Sequence, residues 1–251
     1  MEMIEISSLG KTFNAGTSNE IVALKEINLS IQKKEYVVIV GANGSGKSSL
    51  LNSIAGSFIA DKGSIKFDGI DVTQKQDFQR SKWIARIFQN PLSGTAPDLS
   101  ILDNFRLAAI RTKPKLPAIG INEQFIHKIK EKISILGMGL EDKLQQPMGS
   151  LSGGQRQALT LIMAIVDKAA ILLLDEPTAA LDPKSSEILM RSADKIISEF
   201  DLTAILVTHD LKDAHHFGNR IIQMKEGKVI KDLNPKEKNQ LTLNNLFEWF
   251  A

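Results

Sequence analysis

The chain has 251 residues, 43% of them hydrophobic and 24% charged, which suits one large α/β domain or a core with embedded subdomains. Its 31 basic residues nearly balance 29 acidic ones, for a net charge of +2, so the composition offers no polyanion-binding surface and argues against a nucleic-acid role. Cysteine is absent, which excludes disulfides and thiolate metal sites, and the start Met1-Glu-Met-Ile-Glu5 lacks the basic and apolar regions of a secretory signal.

In chain order, Met1 to Leu9 and Val22 to Ile31 alternate apolar and polar residues and predict strands, with a turn-rich loop at Asn14 to Asn19 between them. The apolar run Tyr36-Val-Val-Ile-Val40 predicts a buried strand. It leads into Gly41-Ala-Asn-Gly-Ser-Gly-Lys-Ser48 and a helix-compatible segment, Ser49 to Ala55. Strand, glycine-rich turn and helix form the context in which G-x-x-x-x-G-K-[ST] is a phosphate loop; a flexible Gly/Ser loop with a surface lysine is the plain alternative. Gly41, Gly44 and Gly46 can take backbone angles that turn successive N–H groups around an anion, and the helix that follows points its positive end there. Lys47 is placed to reach the β- and γ-phosphates, and Ser48 to offer a hydroxyl to Mg²⁺.

Further strands are expected at Ile65 to Phe67, Ile70 to Val72 and Trp83 to Phe88, with Asp68-Gly69 as a hairpin turn. From Ser100 to Ile110 and Glu123 to Leu136 the apolar residues recur at helical spacing, separated by a proline-rich break at Lys113 to Pro117. Leu151-Ser-Gly-Gly-Gln155 sets Ser152 three residues before Gln155, the spacing of a capping box, ahead of an apolar helix at Ala158 to Val166. That helix is too short for a bilayer, which needs roughly 20 apolar residues. Thereafter strand and helix alternate through Ile171 to Leu174, Ser185 to Phe200, Ala204 to Val207 and Leu211 to Phe217, implying a parallel sheet with crossover helices. A hairpin turning at Glu226-Gly227 closes the pattern, followed by a polar tail whose end, Leu241 to Phe250, is amphipathic.

Read singly, a capped helix start or a core strand ending in acids is ordinary. Together, in this order, these stretches make the sequence resemble the nucleotide-binding subunit of an ATP-binding-cassette (ABC) transporter, from Phe13 to about Lys231. The resemblance implies a P-loop NTPase (RecA-like) α/β core with an antiparallel β subdomain and an inserted α-helical signature subdomain at about 90–165. It assigns 1–232 to the ATPase domain and 233–251 to a short tail.

By that resemblance the ATP-binding residues are Phe13 and Val22 at the adenine, then Gly41, Ala42, Asn43, Gly44, Ser45, Gly46, Lys47, Ser48 and Ser49 at the phosphates. Glu176 orients or deprotonates the attacking water, with His209 in the switch position and Gln89 in the Q-loop. Ser48, Gln89 and Asp175 serve Mg²⁺. Ser152, Gly153, Gly154, Gln155 and Asp182 would contact the ATP held by a second subunit, either the same chain or a paralogous ATPase, in a head-to-tail dimer. Two departures stand out: Phe13 replaces the commoner tyrosine, leaving the π-face without its hydroxyl, and Ala179 stands where serine is frequent. His127, His215 and His216 are read as ordinary histidines. The implied partners are integral membrane permease subunits and an extracytoplasmic substrate-binding protein, at the cytoplasmic face of the inner membrane. The loop after Gln89 and Glu176-Pro-Thr-Ala-Ala-Leu-Asp182 look most like importers of the tryptophan/tyrosine group; lipoprotein-release or peptide-export ATPases and non-transport ABC ATPases are the alternatives.

Overall fold

The structure, a computed structural model, describes residues 1–90, 93–111, 120–166 and 169–250. Strands β1 (Glu2–Phe13) and β2 (Ile21–Gln32) open the chain and pair antiparallel. Strand β3 (Tyr36–Val40) and helix α1 (Lys47–Ala55) flank the glycine loop. Then β4 (Lys62–Phe67) and β5 (Ile70–Asp71) complete a four-stranded sheet ordered β2-β1-β4-β5. Apolar alternation on β1 and β2 buries Ile4, Ile6, Leu24, Ile27, Leu29 and Ile31 on one side. The turn between β4 and β5 has positive φ at both Asp68 (49°) and Gly69 (76°), as a two-residue hairpin requires.

Strand β1 runs beyond the expected end at Leu9, because Lys11, Thr12 and Phe13 still pair with Leu24, Val22 and Ile21. Register shifts on either side of Lys11 erase the alternation while the ladder continues, which is why the sequence pattern stops early.

The second sheet contains β6 (Ile84–Ile87), β7 (Ile171–Asp175), β8 (Thr203–Val207), β9 (Arg220–Lys225) and β10 (Lys228–Leu233), in the order β10-β9-β3-β8-β7-β6. All pairs except β9–β10 are parallel. Continuous apolar runs are what a sheet covered on both faces demands, and β3 shows it. Val38 and Val40 enter one core, Val37 and Ile39 the other.

Helix α1 covers the second face through Leu50, Leu51 and Ile54. Between β5 and β6 lies a short helix, α2 (Asp77–Arg80), absent from the sequence expectation because its first turn is capped by glutamines rather than by a typical capping residue. Its Arg80 is buried and donates to the carbonyls of Ser53, Ile54, Thr73 and Lys75, satisfying the end of α1. Burial pulls the Arg80 guanidinium down to about 10.

The other face of the sheet is covered by α3 (Ile101–Ala109), α4 (Glu123–Ser134), α5 (Gly153–Val166) and α6 (Pro183–Glu199), packed around Phe105, Ile129, Leu161 and Ile196. Ser100 and Asn122 cap α3 and α4 with their side chains. The expected break at Lys113 to Pro117 lies outside the described residues. Helix α7 (Leu211–His216) follows β8, and the tail forms α8 (Pro235–Gln240) and α9 (Leu243–Glu248). The tail is not all surface. Leu246 is fully buried in the core, and the buried Lys238 ammonium donates to the carbonyls of Phe217 and Gly218 just after α7.

Candidate active site

Parallel strands direct their carboxyl ends to one edge, and register decides what arrives there. Ile39 lies opposite Val207, Asp175 also opposite Val207, and Ile87 opposite Leu174. The glycine loop, the acids of β7, the loop after β8 and the segment after β6 therefore emerge together.

The glycine loop is held tightly where its glycines are needed. A Cβ on Gly41 would sit 2.4 Å from the Met224 carbonyl, and one on Gly46 (φ 100°) would sit 2.6 Å from that of Ala23. Helix α1 starts at Gly46 with no side-chain cap. Lys47 is buried, and its ammonium donates to the carbonyls of Gly41 (2.8 Å) and Ala42 (3.1 Å). Burial lowers its pKa, while Glu176 and Asp175 pull it back up, so both carboxylates lie within electrostatic reach. Ala42, Asn43, Gly44 and Ser48 are exposed, Ser49 is half-buried, and Ser45 is buried.

Asp175 ends β7 in a 2.6 Å ion pair with Arg86 of β6. Glu176, next along, adopts φ 44°, a left-handed conformation that a non-glycine residue takes at a cost. Its N–H is anchored on the Val207 carbonyl (2.9 Å) and its carboxylate lies 3.2 Å from His209 Nδ1. His209 is 61% exposed and Glu176 only 17%, so the pair has a sheltered acid and an open imidazole. Asp210 caps α7 through the N–H groups of Lys212 and Asp213. Burial, with Asp210 beside it, pushes the Asp213 carboxyl up to about 6.

Gln89 is exposed immediately after β6. The chain just before it is fixed by the buried Gln157 of α5, which donates to the Phe88 carbonyl (3.0 Å). Phe13 ends β1 with its ring edge-on to Phe58 at 5.1 Å, and Val22 lies on the paired strand opposite Thr12.

The Ser152 region starts α5 on the opposite face of the sheet from α1. Its capping box forms as expected: the Gln155 N–H donates to Ser152 Oγ (3.3 Å) and the Ser152 N–H to Gln155 Oε1 (3.2 Å). Arg156 is buried and grips the preceding turn through the carbonyls of Met148, Gly149 and Leu151. Gly154 lies against Ser185 of α6, where a Cβ would come within 2.8 Å of the Ser185 Cβ. Asp182 caps that same helix by accepting from the Ser185 N–H, and the Ser185 side chain first, with that N–H, lowers its pKa.

The family model described as ABC transporter matches residues 24–179, more than half the chain. The chain belongs to the ABC transporter ATP-binding family. It is 36% identical to a tyrosine transport ATP-binding protein of Clostridioides difficile, over 99% of this chain and 98% of that protein. It is also 36% identical to a macrolide export ATP-binding/permease protein, MacB, of Aggregatibacter actinomycetemcomitans, over 97% of this chain but 36% of that protein. Among solved structures, the dimeric bacterial ABC transporter cassette MJ0796 superposes with a TM-score of 0.78 at 32% identity, covering 93% of this chain and 99% of that one. The structure of cbiO1 of Clostridium perfringens, part of the ABC transporter complex cbiONQ, gives 0.80 at 27% identity, over 99% of this chain and 94% of that one. The fold is thus the ABC cassette, with a P-loop NTPase core and an antiparallel sheet, and the chain is an ATPase subunit of an ABC transporter. No helix among the described residues is long and apolar enough to cross a membrane.

The cassette's donors also suit Mg²⁺. Among the described residues no cluster of three or more His, Asp or Glu could cage an ion. A hydroxyl at Ser48, a carboxylate at Asp175 and an amide at Gln89 are too few for a closed site, but they fit an ion that takes its remaining ligands from phosphate and water. Two residues of this site escaped the sequence reading. Arg86 and Gln157 belong to no motif; each acts through a partner about seventy or more positions away, which local spacing does not reveal.

Proposed function

We propose that this ATPase drives import of a small organic solute, such as an amino acid, through separate integral membrane permease subunits. The observation that carries the reading is the likeness to a tyrosine transport ATP-binding protein, over 99% of this chain and 98% of that protein. MacB, by contrast, is matched over about a third of its length. Its equal identity keeps an export ATPase as the second reading, alongside an extracytoplasmic binding protein as the partner expected of the first.

In the proposed cycle the N–H groups of Gly41 to Ser49 and the Lys47 ammonium hold the β- and γ-phosphates, and Phe13 with Val22 supports the adenine. Ser48, Asp175 and Gln89 would hold Mg²⁺, which would supply positive charge against the phosphates. Glu176 accepts a proton from the water attacking the γ-phosphorus as the bond to the bridging oxygen of ADP breaks. Its left-handed backbone and the His209 contact fix the carboxylate's direction, which matters when catalysis is mostly positioning.

Ser152 to Gln155 and Asp182 would close over the ATP of a second subunit. Gly154 and Ser185 lock these two segments side by side, so they would move as one. A groove of about 800 Å³ runs beside β6, with Phe78, Phe88, Leu107 and Arg111 in its wall, and is the proposed seat of the permease. The division at 232 and 233, and attachment at the cytoplasmic membrane face, belong to the same proposal. Purification of the tagged subunit from native membranes tests it. Recovery of a permease and a secreted binding protein is expected; recovery of a permease alone with a large extracytoplasmic domain would favour export, and recovery of ribosomes or DNA-repair proteins would overturn transport.

A further inference from the structure

The ion pair between Arg86 and Asp175 joins a residue of no known motif to the carboxylate proposed to serve Mg²⁺. Both side chains are largely shielded, at 13% and 14% exposure, so solvent screens their attraction little. The contact is a single N–H···O bond from one guanidinium nitrogen to Asp175 Oδ2. The second nitrogen donates to Ser57 Oγ at 3.2 Å, and Nε is buried without a hydrogen bond among the described residues. The guanidinium also lies 4.8 Å from the Phe88 ring centroid. This is not the two-armed fork that makes arginine–carboxylate pairs strong and geometrically fixed. One bond carries it, and the buried Nε–H has no partner among the described residues.

We propose that Arg86 is a built-in counter-cation of Asp175 that competes with the divalent ion and so sets how tightly the cassette holds metal. The inference rests on the reading of Asp175 as a metal-facing carboxylate. Two effects act in the same direction. A carboxylate already neutralised by arginine offers less negative charge to an ion, and the guanidinium repels a second cation nearby. Arg86 also lines the groove proposed for the permease, so one side chain touches both the metal-side carboxylate and the docking surface.

The test is Mn²⁺ binding to the full chain in the presence of ADP, read from the free-ion signal by electron paramagnetic resonance. Arg86→Gln is expected to bind Mn²⁺ about tenfold more tightly than wild type, and Arg86→Lys, which keeps the charge, within about twofold. ADP affinity in EDTA should stay within about twofold for both, since the nucleotide alone does not use Asp175. Should the glutamine variant fold poorly, Arg86→Met keeps the stem against Phe88 and gives the same readout. Unchanged or weaker Mn²⁺ binding in the charge-removing variants would overturn the proposal and make Arg86 a simple support for Asp175. Asp175→Asn separates the two readings. It should weaken Mn²⁺ binding and abolish the effect of Arg86→Gln; if it leaves Mn²⁺ affinity untouched, the assignment of Asp175 itself fails.

Discussion

Two helices in this cassette begin on glycine-rich turns, and they treat their first N–H groups differently. Helix α1 begins at Gly46 with no side-chain cap, its first residue being the buried Lys47. Helix α5 begins with Ser152 and Gln155 bonded reciprocally, so that part of its donor set is already used. An uncapped start with a lysine behind it suits a permanent, tightly held anion. A capped start suits a face met only from outside, by a ligand that arrives with another subunit, because the helix end remains satisfied without it. On the proposed reading, the difference gives the two helix ends separate duties: α1 holds the chain's own nucleotide, and α5 meets that of a second subunit.

If α1 is the resident site, its lysine should dominate every measurement. Lys47→Ala removes the only side-chain charge in the glycine loop and both its ground-state and transition-state contacts. We expect kcat/KM for ATP to fall about ten-thousandfold, with about a hundredfold of that in nucleotide affinity. Titration with a fluorescent ATP analogue checks the binding part, and unchanged affinity would end the assignment of the loop.

Glu176→Gln sharpens the comparison by stopping hydrolysis while leaving both helix starts intact. Turnover should drop by about two orders of magnitude, about 3 kcal/mol in barrier, with ATP affinity kept. If α5 closes over a partner's nucleotide, the variant should also accumulate as a dimer in ATP, visible by light scattering. Turnover near wild type would remove Glu176 from the reaction.

What the sequence revealed of this site divides along the same line as its physics. The glycine loop, the capping box at Ser152 and the hairpin turns at Asp68-Gly69 and Glu226-Gly227 are local, with backbone demands written into neighbouring residues, and all are found where expected. Strands β3, β7 and β8 were legible because parallel strands covered on both faces must be apolar throughout. Helix α2 was not, since four residues carry no period, and its purpose is one long-range clamp by Arg80. The left-handed angle at Glu176 could not be read either. Nothing in the residue type demands it, and the partners that accompany it, the Val207 carbonyl on its N–H and His209 at its carboxylate, lie on another strand and the loop after it. The amphipathic end of the tail, Leu241 to Phe250, fits the burial of Leu246, but the buried Lys238 in its polar part could not be read, because the carbonyls after α7 that it meets lie across the fold.

A smaller change tests whether α5 and α6 move as a unit. Gly154→Ala places a methyl 2.8 Å from the Ser185 Cβ, so one helix must shift. Overpacking of this kind costs about 1–3 kcal/mol, and chemical denaturation should register it. Nucleotide affinity of the single subunit should not change, because the glycine loop lies across the sheet; a matching loss of ATP affinity would mean that the two helix starts are not independent.

The finest test concerns the capped helix alone. Ser152→Ala removes the hydroxyl that accepts from the Gln155 N–H, a loss of about 1 kcal/mol in stability. Were Ser152 only a cap, the variant's ATPase rate per folded subunit would match wild type, and Ser152→Asp, which restores the acceptor, would recover stability and change nothing else. If Ser152 also meets a phosphate across the dimer, Ser152→Asp must behave differently: stability returns, but the carboxylate repels the anion it should face, and turnover falls below that of Ser152→Ala. The ordering of those two rates, measured at equal stability, separates a helix that is merely well capped from one whose cap is lent to a second subunit's nucleotide.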